Sequence, residues 1–359
     1  MRRLTLLLPA VVLASVLMPR LADSQATLGP GPKVSISAVT QSIPTLLQWV
    51  KVDVPYYREI IPQRSNGRVE VKLSTWAEMN LAGTEILRLT RSGQVDISAS
   101  PLTYVAGDVP LLDGADLAGL NPTIEQARKV VTALVPVANK EMERFNTKII
   151  GTLPFPAQVF WCRKPVKDLA DLKGRKIRTF GTSLNDLVGA LGAQAVSITF
   201  AEVYVALERG VADCGITGTA SGNAAKWYEV TSHIYTLPVG WSVTAYYVNL
   251  AWWNRLDPAV RKFLEDTHKE MEDKQWALGA ELSQDGIDCN AGRPTCKLAT
   301  LVKDRPMTEV KPIEADKALV KKILTEAALP AWVKRCGSRC GDIYNEVLAP
   351  ITGVRYTPR

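Results

Sequence analysis

Hydrophobic and polar positions alternate in KVSISAV (33–39), RVEVKLST (68–75) and QVDISAS (94–100), the period of a strand with one buried face. Between them, TLLQWVKVDVPYYREII (45–61) and TEILRLTR (84–91) carry the period of a helix, the second stopped by Gly93. The rhythm returns in the second half. GRKIRTF (174–180) predicts a strand, SLNDLVGALGA (183–193) a helix and AVSI (195–198) a short strand. FAEVYVALERG (200–210) then predicts a helix stopped by Gly210, and VADCGIT (211–217) a strand. Alternating elements of this kind predict an α/β protein with largely parallel sheets.

A short echo links the halves. LRLTRSGQVDIS and VALERGVADCGI both run from a helix end, through a glycine free to take the left-handed conformation, into a strand carrying an aspartate, Asp96 or Asp213. It predicts two similarly built lobes whose strand ends face a shared cleft. VTAYYVNLAWW (243–253) reads as an aromatic-rich strand. LDPAVRKFLEDTHKEMEDKQWALGAELSQDGI (256–287) reads as one helix with Val260, Phe263, Leu264, Thr267, Met271, Leu278 and Leu282 on one face. At roughly 1.5 Å per residue it would be about 45 Å long, enough to brace both lobes. KALVKKILTEAALPAWVKRC (317–336) is helical and partly apolar, suited to packing on its own lobes or on a partner.

Length supports two domains: 359 residues, 47% hydrophobic and 22% charged, give ample core. The first residues stand apart. Arg2 and Arg3 precede the apolar run LTLLLPAVVLASVLM and the small-residue site Ser24-Gln25-Ala26, the pattern of a secretory signal peptide over 1–26. No cysteine lies near the expected cut, so a lipid anchor is not expected. A location free in a periplasm is. The net charge of +7 falls to +5 without Arg2, Arg3, Arg20 and Asp23, and it is spread out rather than blocked, which argues against a nucleic-acid partner.

Six cysteines in an exported chain predict disulfides. Local bridges Cys289–Cys296 and Cys336–Cys340, with Cys162–Cys214 joining two strands, are the first choice among fifteen connectivities that sequence cannot rank. Metal or thiol chemistry would need histidines nearby. The chain has only His233 and His268, neither at ligand spacing to a cysteine. No cofactor is expected.

Arg178 is the sharpest candidate for chemistry. A guanidinium at the end of a strand either points into water, pairs with a core carboxylate or receives an anion. Its planar fork matches a carboxylate bidentately, as lysine does not. The stretch around it, GTLPFPAQVFWCRKPVKDLADLKGRKIRTFG (151–181) followed by SITFAEVYVALERGVADC (197–214), resembles the signature of TRAP-transporter solute-binding proteins, the DctP family. That resemblance implies a two-lobed periplasmic binding protein fold, type II-like, with hinge strands and a long bracing helix. The lobes would be 33–154 with about 243–283, and 155–242 with about 284–359. It implies a small organic acid as ligand, and as partners the TRAP membrane subunits, which use an ion gradient rather than ATP.

Under the same resemblance Arg178 matches the carboxylate-binding arginine. Gln158 falls where several members have a second arginine, and Thr217 where many have asparagine. This chain reads Ile-Thr-Gly where those members read Glu-Asn-Pro, and it lacks the Glu-Trp with which 2-oxo-acid-binding members help hold a metal. Trp76, Ser100 and Tyr104 lie in strand-end loops expected to face the cleft. Phe180 and Trp241 are expected as aromatic walls, each with core or loop packing as the competing reading. A glutamine in place of a second arginine, with aromatics kept, suggests a monocarboxylate with an apolar or aromatic body. Glu202 reads as half of a capping box with Thr199 rather than as a catalytic acid. The alternatives are an ABC-transporter binding protein or a periplasmic hydrolase or lyase on the same scaffold. No Gly-x-Ser-x-Gly or His-Glu-x-x-His supports the enzyme.

Overall fold

A computed structural model describes residues 26–358. The signal-peptide expectation therefore lies outside the described residues, Ala26 excepted. Along the chain, β1 (Val34–Val39) leads through π-helical turns at Trp49–Asp53 and Tyr56–Ile60 into α1 (Ile61–Arg64) and β2 (Val69–Ser74). Then come α2 (Ile86–Ser92), β3 (Ile97–Pro101), α3 (Ile124–Met142) and β4 (Thr147–Leu153). The next run is β5 (Gln158–Cys162), β6 (Lys176–Thr179), α4 (Thr182–Ala190), β7 (Gln194–Ser197), α5 (Val203–Glu208), β8 (Cys214–Gly218) and α6 (Thr219–Ala224). Next are β9 (His233–Tyr235), β10 (Thr244–Asn249), α7 (Leu250–Arg255), α8 (Pro258–Asn290), β11 (Thr308–Val310), α9 (Glu314–Ile323), α10 (Leu329–Cys336), α11 (Ser338–Ile343) and α12 (Ala349–Thr352).

The strands form two sheets, one in each of two lobes, ordered β2-β1-β3-β10-β4 and β11-β9-β5-β8-β6-β7. They are less uniformly parallel than the sequence rhythm predicts. The α-connected strands are parallel, β1 with β2 and β3 and β6 with β7 and β8. Of those that arrive from or leave for the other sheet, β10 runs antiparallel to β3 and β4, and β5 to β8 and β9, while β11 runs parallel to β9. A strand that enters a sheet from another lobe has no crossover helix to set its direction. The chain crosses three times, along α8 between β10 and β11 and through two extended segments, between β4 and β5 and between β9 and β10. The extended crossings bond to each other, Phe155 N–H to the Trp241 carbonyl (2.8 Å), Gln158 N–H to that of Gly240 (2.9 Å) and Val239 N–H to that of Gln158 (2.9 Å).

The halves echo each other in structure. Gly93 (φ 77°) and Gly210 (φ 73°) both end a helix in the left-handed region that favours glycine. Three residues on, the Asp96 carboxylate accepts the Ser37 N–H of β1, and that of Asp213 accepts the Lys176 N–H of β6. Each aspartate fastens its strand to a parallel neighbour.

Three expectations need correction. The 45–61 segment is not a regular α-helix: Pro55 has no N–H to give the i−4 carbonyl, and the chain widens into π-turns on both sides. The strand expected over 243–253 stops at Asn249, whose side chain accepts the Trp252 N–H (2.8 Å) and caps α7. Thr199 and Glu202 do bond, but hydroxyl to carboxylate (2.6 Å), at the head of a 3₁₀ turn over Phe200–Glu202 rather than as a capping box.

Helix α8 starts at Pro258 under an Asp257 cap. Its first half buries Val260, Phe263, Leu264 and Met271 against the core of the first sheet, and Gln275 donates to the buried Asp53 carboxylate (2.9 Å). Its far half packs on α6, where Asn290 donates to the Thr219 carbonyl (2.9 Å). Two glycines on α8 make the approach close. A Cβ on Gly279 would lie 2.7 Å from Pro154 Cγ, and one on Gly286 would lie 2.5 Å from the Thr219 carbonyl carbon. The three disulfides are Cys162–Cys214, between paired residues of β5 and β8, Cys289–Cys296 and Cys336–Cys340. The 317–336 segment packs on its own chain: Trp332 donates to the Pro110 carbonyl (2.8 Å), and Arg335 pairs with Asp186 of α4 (2.8 Å). Among the described residues no helix is long and apolar enough to cross a membrane.

Candidate functional site

Strand β6 carries Arg178 into the interior, where the residue is 1% exposed. Its guanidinium donates from Nε to the Ile198 carbonyl (3.0 Å) and from Nη1 to the Ile216 carbonyl (2.9 Å). The rings of Phe180, Trp227 and Phe200 surround it, with centroids 5.2, 5.7 and 5.9 Å from its central carbon. Among the described residues it forms no ion pair. Burial lowers its pKa from the ordinary value, and the nearby Tyr104 hydroxyl partly opposes this; an arginine stays protonated regardless. A rigid, water-shielded fork with donors to spare is the result.

That fork opens on a cleft between the lobes. Ser42, Leu46, Trp76, Pro101 and Tyr104 line it from the first lobe, Phe155, Gln158 and Ser242 from the crossings, and Phe180, Phe200, Thr217 and Ser221 beside Arg178. Trp76 is held by its indole N–H on the Ala99 carbonyl (3.1 Å), and Tyr104 packs between Trp76 and Phe180, with centroids at 5.9 and 6.5 Å. The Ser221 hydroxyl, on a residue 5% exposed, has no hydrogen-bond partner among the described residues.

Six of the eight residues singled out in the sequence therefore meet around one cavity: Arg178, Gln158, Thr217, Phe180, Trp76 and Tyr104. Ser100 and Trp241 do not line it. Ser100 sits within β3, fully buried and paired with Ala245 of β10. Trp241 turns into the core, its indole N–H on the Asn121 carbonyl (2.8 Å). Its neighbour Ser242, at φ 45°, takes the place at the wall. Sequence reasoning missed Ser42, Leu46, Pro101, Phe155, Phe200, Ser221 and Ser242. Two had a signal: Phe200 opens the motif that contains Glu202, and Ser221 lies on the helix directly after Thr217. Pro101 is the last residue of β3, and Ser42, Leu46, Phe155 and Ser242 come from loops and crossings with no pattern to read.

An adjoining pocket shares Gln158, Phe180 and Ser242 and holds two carboxylates, Asp113 and Asp116. Asp116 accepts the N–H of Trp241 (2.9 Å) and of Val243 (3.3 Å) on either side of Ser242, and burial pushes it up to about 7. Asp113 accepts the Thr182 hydroxyl (2.7 Å) and is also raised by burial. Both fasten the 110–116 segment to its neighbours. Among the described residues no group of three metal-ligating side chains comes together.

Residues 49–290 match the family model described as bacterial extracellular solute-binding protein, family 7, or DctP. A solute-binding protein of Albidiferax ferrireducens is 23% identical over 231 residues, 64% of this chain; the chain spans 65% of that relative's length. The Bordetella pertussis extracytoplasmic solute receptor DctP6, which binds pyroglutamic acid, superposes with a TM-score of 0.76 at 21% identity, over 87% of this chain and 100% of that one. A TRAP periplasmic solute-binding protein of Desulfovibrio salexigens with bound orotic acid gives 0.75 at 21%, over 89% and 100%. With a family match over two thirds of its length and a two-lobed architecture shared with these receptors, the chain belongs to the DctP family of TRAP-transporter solute-binding proteins.

Proposed function

We propose that this protein captures a small organic acid in the periplasm, seats its carboxylate on Arg178 between the lobes, and delivers it to TRAP-type membrane subunits. The observation that carries the reading is a guanidinium buried inside the cleft with no carboxylate partner among the described residues. Sequestering a charge is costly unless something pairs with it, and a fork that already has two N–H groups committed to carbonyls is oriented for bidentate capture by the rest. The Ser221 and Thr217 hydroxyls stand beside it as further hydrogen-bonding groups. Similar receptors bind pyroglutamic and orotic acids, which supports an acid as ligand.

The moving bodies in this reading are residues 33–154 with 243–283, and residues 155–242 with 284–359. The paired crossings serve as the hinge. The test is a thermal-shift screen of the exported protein against small carboxylates, with Arg178→Ala in parallel. A ligand at a hundredfold excess over its Kd adds about 2.7 kcal/mol of stability. Stabilisation of the wild type but not of the variant is the expected result. A shift that survives in Arg178→Ala, or no shift with any acid, refutes the reading.

A further inference from the structure

The charge census of the cavity wall bears on which acids fit. Among the lining residues Arg178 is the one charged side chain. A second carboxylate on the ligand would enter the cleft without a counter-charge on its wall, which weakens binding. Gln158 adds a directional constraint. Its side-chain nitrogen donates to the Pro156 carbonyl (2.7 Å), and a carbonyl can only accept, so the amide orientation is settled by its partner. Its Oε1 receives no hydrogen bond from any described residue, and the side chain borders the cavity. An acceptor there repels a carboxylate and welcomes an O–H or N–H.

The rest of the wall combines the hydroxyls of Ser42, Thr217, Ser221 and Ser242 with aromatic rings. Phe180 and Phe200 are engaged with the guanidinium. That leaves Trp76, Tyr104 and Phe155 as ring surface for the body of the ligand. The Trp76 indole N–H is already committed to Ala99, so it offers its ring rather than its polar edge.

Resting on the reading that the cleft takes an acid at Arg178, we propose that this site selects a ring-bearing monocarboxylate with a hydrogen-bond donor that meets Gln158 Oε1, and rejects dicarboxylates. The carboxylate lies on Arg178, the ring between aromatic side chains, and the donor on the crossing strand.

Titration calorimetry tests this with two panels. One holds ring monocarboxylates bearing an O–H or N–H (4-hydroxybenzoate, orotate, pyroglutamate), with benzoate as the donor-free control. The other holds dicarboxylates (terephthalate, succinate, malonate). The best ring monocarboxylate should bind about a hundredfold tighter than the best dicarboxylate, and 4-hydroxybenzoate about tenfold tighter than benzoate. In Gln158→Met the second ratio should fall to about one while benzoate binding persists, which shows that the variant is folded. A dicarboxylate as the tightest ligand overturns the proposal and leaves capture of an acid at Arg178 standing. So does a donor preference that survives in Gln158→Met. If no carboxylate in either panel binds, the acid reading falls and this proposal with it.

Discussion

The Asp116 carboxylate grips the Trp241 amide at 2.9 Å, tying the segment after Pro110 to the crossing strand that returns the chain to the first sheet. Because Asp116 sits at about 7 in the fold against an ordinary 3.8, the native state holds its proton more tightly between those values. Its contribution to stability is present at low pH and is lost as pH rises through 7. His268 acts the other way. Buried on α8 and lowered to about 4 from 6.5, it costs stability as pH falls below 6.5. The two slopes oppose each other in the wild type. Asp116→Asn should remove the first and leave the second, so its melting temperature should drop more steeply than that of wild type between pH 6.5 and 4.5. Parallel curves for the two proteins would mean that Asp116 titrates as an ordinary carboxylate.

For Arg178 the informative variant is lysine. Arg178→Ala should cost an acid ligand roughly 2–5 kcal/mol of affinity. Arg178→Lys keeps the charge but loses the fork and the contact with the Phe180 and Phe200 rings, and should recover only part of that loss. Titration of all three proteins with one acid checks this. Full recovery by lysine would reduce the role of the residue to bare charge.

The disulfides should differ in worth according to the loop each closes. Cys162–Cys214 spans 52 residues, Cys289–Cys296 spans 7 and Cys336–Cys340 spans 4. On the chain-entropy account, the first contributes about 4 kcal/mol and the others about 2 kcal/mol each. Urea unfolding of the three paired Cys→Ala variants should rank them in that order. Equal losses would mean that the unfolded chain is not what the bridges constrain.

Gly286 sits where α8 meets the backbone of α6, the helix that carries Ser221. Gly286→Ala should destabilise the protein by about 1–3 kcal/mol or more, even though alanine is the better helix former. It should also weaken ligand binding, since α6 must shift to admit the methyl. Gly189→Ala, with open space around its Cβ, is the control and should not destabilise the protein. Equal melting temperatures for the two variants would show that the helices part without cost.

Much of this was legible in the chain. Alternation located β1 and β2, which bury one face, and also β3 and β6, which are buried on both; the Gly93 and Gly210 stops were readable because few other residues tolerate that backbone. The resemblance around Arg178 led to the cavity, and Gln158, Thr217 and Phe180 came with it. What escaped was set by the third dimension. Ser42 and Leu46 reach the cavity from a loop whose path depends on packing, and Ser242 displaces Trp241 from the wall through a single left-handed residue. The π-turns around Pro55 obey local chemistry, but apolar periodicity conceals them. Direction within a sheet was misjudged for β5 and β10, since periodicity carries no sign.

Helix α8 also sets a limit on how such a chain can vary. It is 33 residues long without a break, and Gly279 and Gly286 share one face. Inserting or deleting one residue before Gly279 would turn everything beyond it by about 100° and shift it by about 1.5 Å, taking both glycines out of contact with Pro154 and Thr219. Length changes should therefore be excluded from this helix and collect in segments such as 297–307, where the chain is irregular. Between two bodies that differ freely in sequence, α8 serves as a ruler of fixed length.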